Sequence, residues 1–330
     1  MAVTWITPVD ITGTSTGFVD RDVSAYCPAG TTGIIVQVKV AANYENLGAR
    51  CNGSTDNRVR YHYKSNQWIL VGVDANRIAE ISLSNTTNQK IALVGYFGSE
   101  SVFNVNAVDK SLSATGAWTD IDISGDTTGT SIIAFFEVNK TNDTGYAYGF
   151  RKNGSTDARV GNIRTYDSKK WVSIGVDANE ILEGYTANAA VDFYLQGYAT
   201  TGFTVNTNAP NLSLSSTGSW IDLTALTAGA TGGFFEINAG YDGCTYGLRK
   251  NGSAADLYDE PSEHCWGASE CDASRIVEGR ISDTTIDFFE IAVSLAAAGG
   301  PYTESRSGVL TSSGSQSRSL ILNRTKTGTL

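Results

Sequence analysis

Aspartates spaced two apart on predicted strands are the residues of this chain that could bind a metal ion. Segments such as Trp-Thr-Asp-Ile-Asp place their carboxylates on one side of an alternating strand. Paired carboxylates can hold Ca²⁺ together with loop carbonyl oxygens. Because no dense acidic loop accompanies them, we predict no cofactor, with calcium as the alternative. The candidate ligands are Asp20, Asp22, Asp120, Asp122 and Asp222.

Tryptophans in the same segments suggest a second chemistry, because an exposed indole can stack on a sugar ring. Trp118 and Trp220 begin two of these strands and are the candidates for glycan stacking. Trp68, Trp171 and Trp266 instead open the most apolar strands, where we expect burial. A host-surface glycan is therefore a candidate partner.

Histidine and cysteine do not form a catalytic or zinc-binding pattern. The two histidines, His62 and His264, do not recur at equivalent positions. A Ser/His/Asp or Cys/His nucleophile system therefore has no constellation to build on. Carboxylates abound, but nothing marks any pair as the acid and base of a glycosidase. We predict that the protein is not an enzyme.

Two disulfides could form among the five cysteines. Cys265 and Cys271 are six residues apart, and an extended strand would separate them by about 20 Å, so a bridge requires the chain to bulge. The other candidate pair is Cys27 with Cys51. Cysteine usage does not fix the cellular compartment.

These residues belong to a sequence that is repeated three times. Arg-Lys-Asn-Gly-Ser-Thr-Asp at Arg151–Asp157 is echoed at Arg50–Asp56 and at Arg249–Ala255. Each copy is followed by a tryptophan strand and then by an aspartate turn. The period of about 100 residues is close to the size of one domain and far longer than a solenoid repeat. The sequence therefore predicts a tandem array of small modules.

Short strands rich in β-branched and aromatic residues fill each copy, with turn signals about every 8–12 residues. This spacing is typical of antiparallel sandwiches and jelly rolls. We predict an all-β fold of tandem, jelly-roll-like β-sandwich modules followed by a short β-rich tail. The predicted boundaries are residues 1–103, 104–203 and 204–298 for the modules and 299–330 for the tail.

Charge and hydropathy exclude several classes of partner. The net charge of −10 disfavours nucleic acid, whose non-specific binding depends on clustered Lys and Arg. No apolar stretch reaches the roughly 18 residues that would span a bilayer, so we predict no membrane insertion. The first eight residues lack the basic start and apolar core of a secretory signal.

The C-terminal segment differs in composition from the rest. Residues 301–330 carry a net charge of +3, against −13 for residues 1–300. Its apolar islands, among them Leu320, Ile321 and Leu322, are too small to form a core. An unpaired strand of this kind can be added to the sheet of another subunit. We therefore predict that the tail mediates assembly, with a solvated chain end as the alternative.

Several phrases resemble those of tandem-repeat proteins encoded in phage and other viral structural gene clusters. They are Tyr148–Asp157, Ile174–Asn179 and Asp192–Tyr198. The resemblance covers most of residues 1–298, and the third copy departs from it at Leu257–Cys271. It implies a virion component such as a decoration, fibre or tail-associated protein, and it carries no catalytic residue to transfer.

These features predict a non-enzymatic structural protein on a virion surface. Its partners would be other virion subunits, and we expect a homo-oligomer. The alternatives are a carbohydrate-binding cell-surface adhesin and a subunit of an extracellular filament joined by strand donation. In either alternative the location is extracellular rather than the virion.

Overall fold

The computed structural model describes residues 2–142, 144–163, 169–240, 243–258, 263–296, 305–308 and 320–323. Within these residues the fold is all-β, as the sequence predicts, and a 3₁₀ turn at Ser124–Asp126 is the one helical segment. None of the described helical segments is long and apolar enough to span a membrane.

The first repeat, Val3–Phe97, forms eight strands in two antiparallel sheets. The strands are β1 Val3–Asp10, β2 Gly17–Asp22, β3 Gly33–Val40, β4 Glu45–Cys51, β5 Arg60–His62, β6 Ser65–Gly72, β7 Ile78–Leu83 and β8 Gln89–Phe97. One sheet has the order β1-β8-β3-β6 and the other β2-β7-β4-β5. Each sheet therefore alternates strands from the two halves of the repeat.

The second repeat, Ser101–Ala199, has the same plan. Its strands are β9 Ser101–Asp109, β10 Thr119–Asp122, β11 Ile133–Lys140, β12 Tyr146–Lys152, β13 Gly161–Ile163, β14 Lys169–Gly175, β15 Ile181–Thr186 and β16 Val191–Ala199. The sheets have the orders β9-β16-β11-β14 and β10-β15-β12-β13. Strand by strand, this is the order found in the first repeat.

The third repeat, Phe203–Leu295, follows the plan with one strand fewer among its described residues. Its strands are β17 Phe203–Val205, β18 Ile221–Asp222, β19 Ala230–Ala239, β20 Tyr246–Lys250, β21 His264–Glu270, β22 Val277–Ile281 and β23 Ile286–Leu295. They form sheets of order β17-β23-β19-β21 and β18-β22-β20. The counterpart of β5 and β13 is the one that the described residues do not include.

The equivalent strands β6, β14 and β21 lie where the three repeats meet. An antiparallel sheet commonly leaves one face to solvent, but every residue of β6 and β14 is buried. The strands β6, β14 and β21 contact one another pairwise. The repeats are therefore packed around a common centre rather than strung out in a line.

Aromatic side chains from the first strand of each repeat pack against the repeat before it. Phe103 packs against Phe97 of the first repeat, with ring centroids 5.2 Å apart. The ring centroid of Phe203 lies 6.5 Å from that of Phe135 of the second repeat. Trp5 lies 5.8 Å from Phe234 of the third repeat. Because the first repeat packs on the third in this way, the three repeats close into a ring.

Neither predicted disulfide is present, and all four cysteines concerned are buried thiols. Cys265 lies on β21 and Cys271 follows its last residue, so the extended strand holds them apart. Cys27 belongs to the turn after β2, where its N–H donates to Val23 O, whereas Cys51 ends β4. Burial raises the pKa of the Cys27, Cys51 and Cys271 thiols to about 11.

The tail contributes two short strands, β24 Ser305–Gly308 and β25 Leu320–Asn323. They pair with each other in antiparallel register, Ser305 opposite Asn323 and Gly308 opposite Leu320. The predicted assembly residues Leu320, Ile321 and Leu322 thus lie on β25. Strand addition to another subunit stays a prediction.

Candidate binding cavity between the first and third repeats

The repeated Asn-Gly-Ser triplet has a structural role. Its asparagine donates through Nδ2 to the aspartate of the later turn: Asn52 to Asp74 at 2.8 Å, and Asn153 to Asp177 at 2.8 Å. In the third copy the same bond joins Asn251 to Asp272 at 2.9 Å. The glycine that follows has a positive φ of 76° to 81°, which other residues rarely adopt.

The arginine that opens each motif is also paired within its own repeat. Arg50, Arg151 and Arg249 bind Glu80, Glu183 and Glu278, with Nε to Oε2 distances of 2.7 to 2.9 Å. Each guanidinium also covers an aromatic ring, 4.1 Å from Phe18, 4.4 Å from Trp118 and 4.3 Å from Trp220. One face of both glycan-stacking candidates is therefore occupied by an arginine. Their role in glycan binding stays a prediction.

A second arginine, eight residues further on, joins the first repeat to the second. Arg58 Nε donates to Glu137 Oε1 at 2.6 Å, and Nη2 donates to Asp56 Oδ2 at 3.0 Å. Its guanidinium lies 4.0 Å from the centre of the Tyr194 ring. We call Arg58, Asp56 and Glu137 the arginine latch of the first seam.

The second seam, between the second and third repeats, has the same latch. Arg159 binds Glu236 at 2.8 Å and Asp157 at 3.0 Å, and its guanidinium lies 4.0 Å from the ring centre of Phe289. In both seams an asparagine from the start of the next repeat completes the site by accepting a hydrogen bond from a serine hydroxyl. These bonds are Ser54 to Asn106 at 2.8 Å and Ser155 to Asn208 at 2.9 Å.

A buried base faces each of the two latch glutamates. Lys169 Nζ lies 2.9 Å from Glu137 Oε1, and His264 Nε2 lies 2.8 Å from Glu236 Oε1, with all four side chains fully buried. Burial lowers the pKa of Lys169 to about 8, although the carboxylate of Glu137 favours its charged form. In each seam the arginine and the base are hydrogen-bonding partners of a carboxylate that burial would otherwise destabilise.

The third seam, between the third repeat and the first, has lost every charged member of this set. Strand register places Gln37 opposite Trp68, as Glu137 lies opposite Trp171 and Glu236 opposite Trp266. Counting from the first motif arginine, Leu257 replaces the latch arginine and Ala255 replaces the latch aspartate. On the side of the first repeat, Thr7 and Pro8 occupy the place of the asparagine, and Ala92 occupies the place of the aromatic ring.

A cavity of about 350 Å³ lies at this third seam. Trp5, Pro8 and Val94 of the first repeat line it on one side, and residues 248–255 with Leu257 of the third repeat line it on the other. The substitutions replace large side chains by small ones, so the space that the latch fills in two seams remains open in the third.

Gln37 forms the polar part of the cavity wall. Its side chain is 5% exposed, and its Nε2 has no hydrogen-bond partner among the described residues. Asn66, which replaces Lys169 and His264 in the register, likewise has both side-chain polar atoms unpaired within the described part of the chain. A buried donor without a partner costs free energy, so Gln37 would be stabilised by an acceptor that its amide met on turning toward the cavity.

Charged groups at the rim of the cavity are already paired. Lys250 Nζ lies 2.7 Å from Glu270 Oε1, and Arg249 binds Glu278. Ser269 and Asn251 add neutral polar groups to the lining. The cavity therefore offers apolar walls, the indole of Trp5 on β1, and neutral hydrogen-bonding groups.

The aspartates predicted as calcium ligands lie on the solvent-exposed side of their strands. Asp22 and Asp122 accept backbone N–H groups of Ser24 and Ser124 at 2.8 Å and so cap turns. Among the residues that the structure describes, no group of three or more His, Cys, Asp or Glu side chains could hold a metal ion. Asp20, Asp120 and Asp222 lie opposite Glu80, Glu183 and Glu278 in the strand register.

The buried position predicted for three tryptophans is confirmed. Trp68, Trp171 and Trp266 are each 2% exposed. The sequence analysis did not identify the latch residues. The signal was present, because Arg58 and Arg159 recur at the same place in the motif while Leu257 does not.

Comparisons with known proteins find no match by sequence and only distant likeness by structure. No family model matches the chain, and no curated protein matches it. A chain from the atomic structure of Sulfolobus Turreted Icosahedral Virus is 12% identical, covers 90% of this chain and 92% of its own, and has a TM-score of 0.24.

Two further structures show likeness of the same low degree. A chain from a study of the triple jelly roll fold and turret assembly in an archaeal virus is 11% identical, over 89% of this chain and 90% of its own, with a TM-score of 0.24. A Clostridium perfringens ZmpB structure with an M60 catalytic domain and CBM51 domains is 8% identical over 84% of this chain and 33% of its own, with a TM-score of 0.20.

Proposed function

We propose that this chain is a non-enzymatic structural protein of a virion surface, built as a closed ring of three jelly-roll modules. The observation that carries the proposal is the strand order of the two sheets, which is the same in the first two repeats and is followed by the third with one strand fewer among its described residues. Eight antiparallel strands in this order make two Greek keys, the arrangement of jelly rolls in viral capsid and lectin domains.

Closure of the ring supports a structural role. Glu137, Lys169, Glu236 and His264 are completely buried at the two latched seams. A buried network of polar and ionic groups is weak evidence for stability, but it can specify one geometry. A covalent set of three modules with two fixed seams resembles a trimer that needs no assembly step. Such a unit suits repeated placement on a particle, where its partners are other virion subunits and further copies of itself.

The decisive experiment is to image purified particles and identify their proteins. We expect this chain among the virion proteins by mass spectrometry, and density for three jelly-roll modules at regular capsid or tail positions by electron cryo-microscopy. Absence of the chain from intact, infectious particles would overturn the proposal.

The alternative of a carbohydrate-binding adhesin rests on the partly exposed position of Trp118 and Trp220. Glycan-array binding that disappears in the Trp118→Ala and Trp220→Ala variants would favour this alternative. An extracellular filament joined through the tail would instead appear as fibres that residues 303–330 are needed to form.

A further inference from the structure

We propose that the cavity of the third seam is a binding site for a neutral saccharide ring. The inference goes beyond the structural role and does not depend on it. It rests on a comparison of the three seams, which share one backbone plan and differ in a few side chains.

The two latched seams show what fills this space when no ligand is needed. There an arginine crosses between repeats and is bound by a buried glutamate, an aspartate and an aromatic ring. In the third seam Gln37, Leu257, Ala255 and Ala92 stand at these four places. Loss of the arginine or the glutamate alone would leave a buried charge unpaired, whereas loss of the whole latch leaves a cavity without an unpaired charge.

The charged side chains of the lining, Arg249, Lys250 and Glu270, are all held in ion pairs and disfavour charged ligands. Glu270 is the carboxylate of the lining, and it is bound by Lys250 at 2.7 Å. A charged ligand would therefore lose its hydration without gaining a free counter-charge. A neutral ligand avoids this cost.

The remaining groups fit a sugar ring better than a wholly apolar guest. Gln37 Nε2 is a buried donor without a partner among the described residues, and a turn of its amide toward the cavity would let it donate to a hydroxyl or acetamido oxygen. Trp5, Pro8 and Val94 offer apolar surface to the C–H face of a pyranose, while Ser269 and Asn251 offer polar groups to its edge. A volume of about 350 Å³ is at the lower end of ligand pockets, the size for one or two sugar rings.

The test measures binding of single sugars to the full-length protein by saturation-transfer NMR and by titration of tryptophan fluorescence. The neutral probes are glucose, galactose, mannose, N-acetylglucosamine and N-acetylgalactosamine. N-acetylneuraminic acid and glucosamine are the charged probes. We expect at least one neutral probe to bind, and the charged probes to bind at least tenfold more weakly.

Filling the cavity with a latch gives the decisive variant. Gln37→Glu combined with Leu257→Arg rebuilds the pair found in the other two seams and should weaken binding at least tenfold. Leu257→Arg alone is the second variant, because residue 257 is partly exposed and a long side chain there can reach solvent without unfolding the protein. Near-ultraviolet circular dichroism reports whether each variant is folded.

Two matched controls separate this site from other sugar sites. Trp118→Ala and Trp220→Ala remove the indoles outside the cavity and should leave binding unchanged. The proposal is overturned if no neutral probe binds, if folded latch variants bind as the wild type does, or if only the two control variants lose binding. Capture of an apolar peptide in place of every sugar would also overturn it.

Discussion

At the scale of single residues, the most consequential group is Glu137. Its carboxylate accepts from Arg58, Lys169 and Gln196 at 2.6 to 3.0 Å and is fully buried. Three donors from two repeats thus converge on one acceptor. Its removal would leave Lys169 buried beside Arg58 without a counter-charge.

We expect Glu137→Ala to lower the free energy of unfolding by about 3–5 kcal/mol, the usual loss when one member of a buried pair is removed. Glu270→Ala is the matched control, because the Lys250–Glu270 pair is 43% and 30% exposed and should cost less than about 1 kcal/mol. Urea unfolding of both variants gives the comparison. Equal losses would show that the buried network does not stabilise the first seam.

The lowered pKa of Lys169 predicts a pH dependence. Below about pH 8 the lysine is protonated in both the folded and the unfolded chain. Between this value and its ordinary value of 10.5 the unfolded chain holds more protons, so its contribution to the free energy of unfolding rises with pH. Glu137, Arg58 and Arg60 are the charged groups that act on it.

The measurement compares wild type with Lys169→Met from pH 7.5 to 10. We expect the difference in unfolding free energy, wild type minus variant, to rise by about 1–3 kcal/mol over this range, at about 1.4 kcal/mol per pKa unit. The buried cysteine thiols titrate in both proteins, so their effect cancels. A flat difference would mean that Lys169 keeps its ordinary pKa.

At the scale of elements, β1 closes the ring. Trp5 packs against Phe234, and its Nε1 donates to Ser294 Oγ at 3.0 Å. Residue 232 is glycine because a Cβ there would lie 2.4 Å from the Trp5 ring. The third seam has no arginine latch, so this indole supplements the packing of β6 against β21 between its two repeats.

Trp5→Ala should therefore loosen the third seam in particular. We expect a loss of about 2–4 kcal/mol, somewhat below the usual cost of truncating a fully buried aromatic residue because Trp5 is partly exposed. Hydrogen exchange should become faster in β19 and β23 than in β11. Trp118→Ala, which removes a partly exposed indole from the middle of one repeat, is the control. Faster exchange spread evenly over all three repeats would contradict the prediction.

At the scale of the whole molecule, each repeat has its own pair of sheets but shares its outer surface with two neighbours. A fragment of residues 101–199 should fold with a β-rich circular dichroism spectrum, because it contains both sheets of the second repeat. It should unfold at a lower denaturant concentration than the full chain, since it lacks Arg58 of the latch. An unfolded fragment would show that the repeats share one core.

The tail gives the last prediction. Deletion of residues 303–330 should leave the three repeats folded and shift sedimentation toward the monomer, because the deleted segment carries the two strands β24 and β25 outside the six main sheets. Analytical ultracentrifugation of both forms makes the comparison. Identical assembly with and without the tail would show that it is a solvated chain end.

Residue types and their spacing are enough to predict the local structure. Asn-Gly turns, aspartate caps and strand alternation act over a few residues, so the all-β fold, the threefold repeat and the buried tryptophans could be predicted from residue types and spacing. The predicted Cys265–Cys271 disulfide is absent because β21 continues without a bulge, which spacing along the chain does not show.

The way in which the repeats meet follows from long-range packing. Arg58 and Glu137 are 79 residues apart, and Trp5 and Ser294 are 289 apart, so no local pattern marks them as partners. Their contacts form because each repeat packs on the next and the third returns to the first. The same closure places Gln37 and Leu257 in one seam, where the missing latch leaves a cavity that the sequence shows only as scattered substitutions.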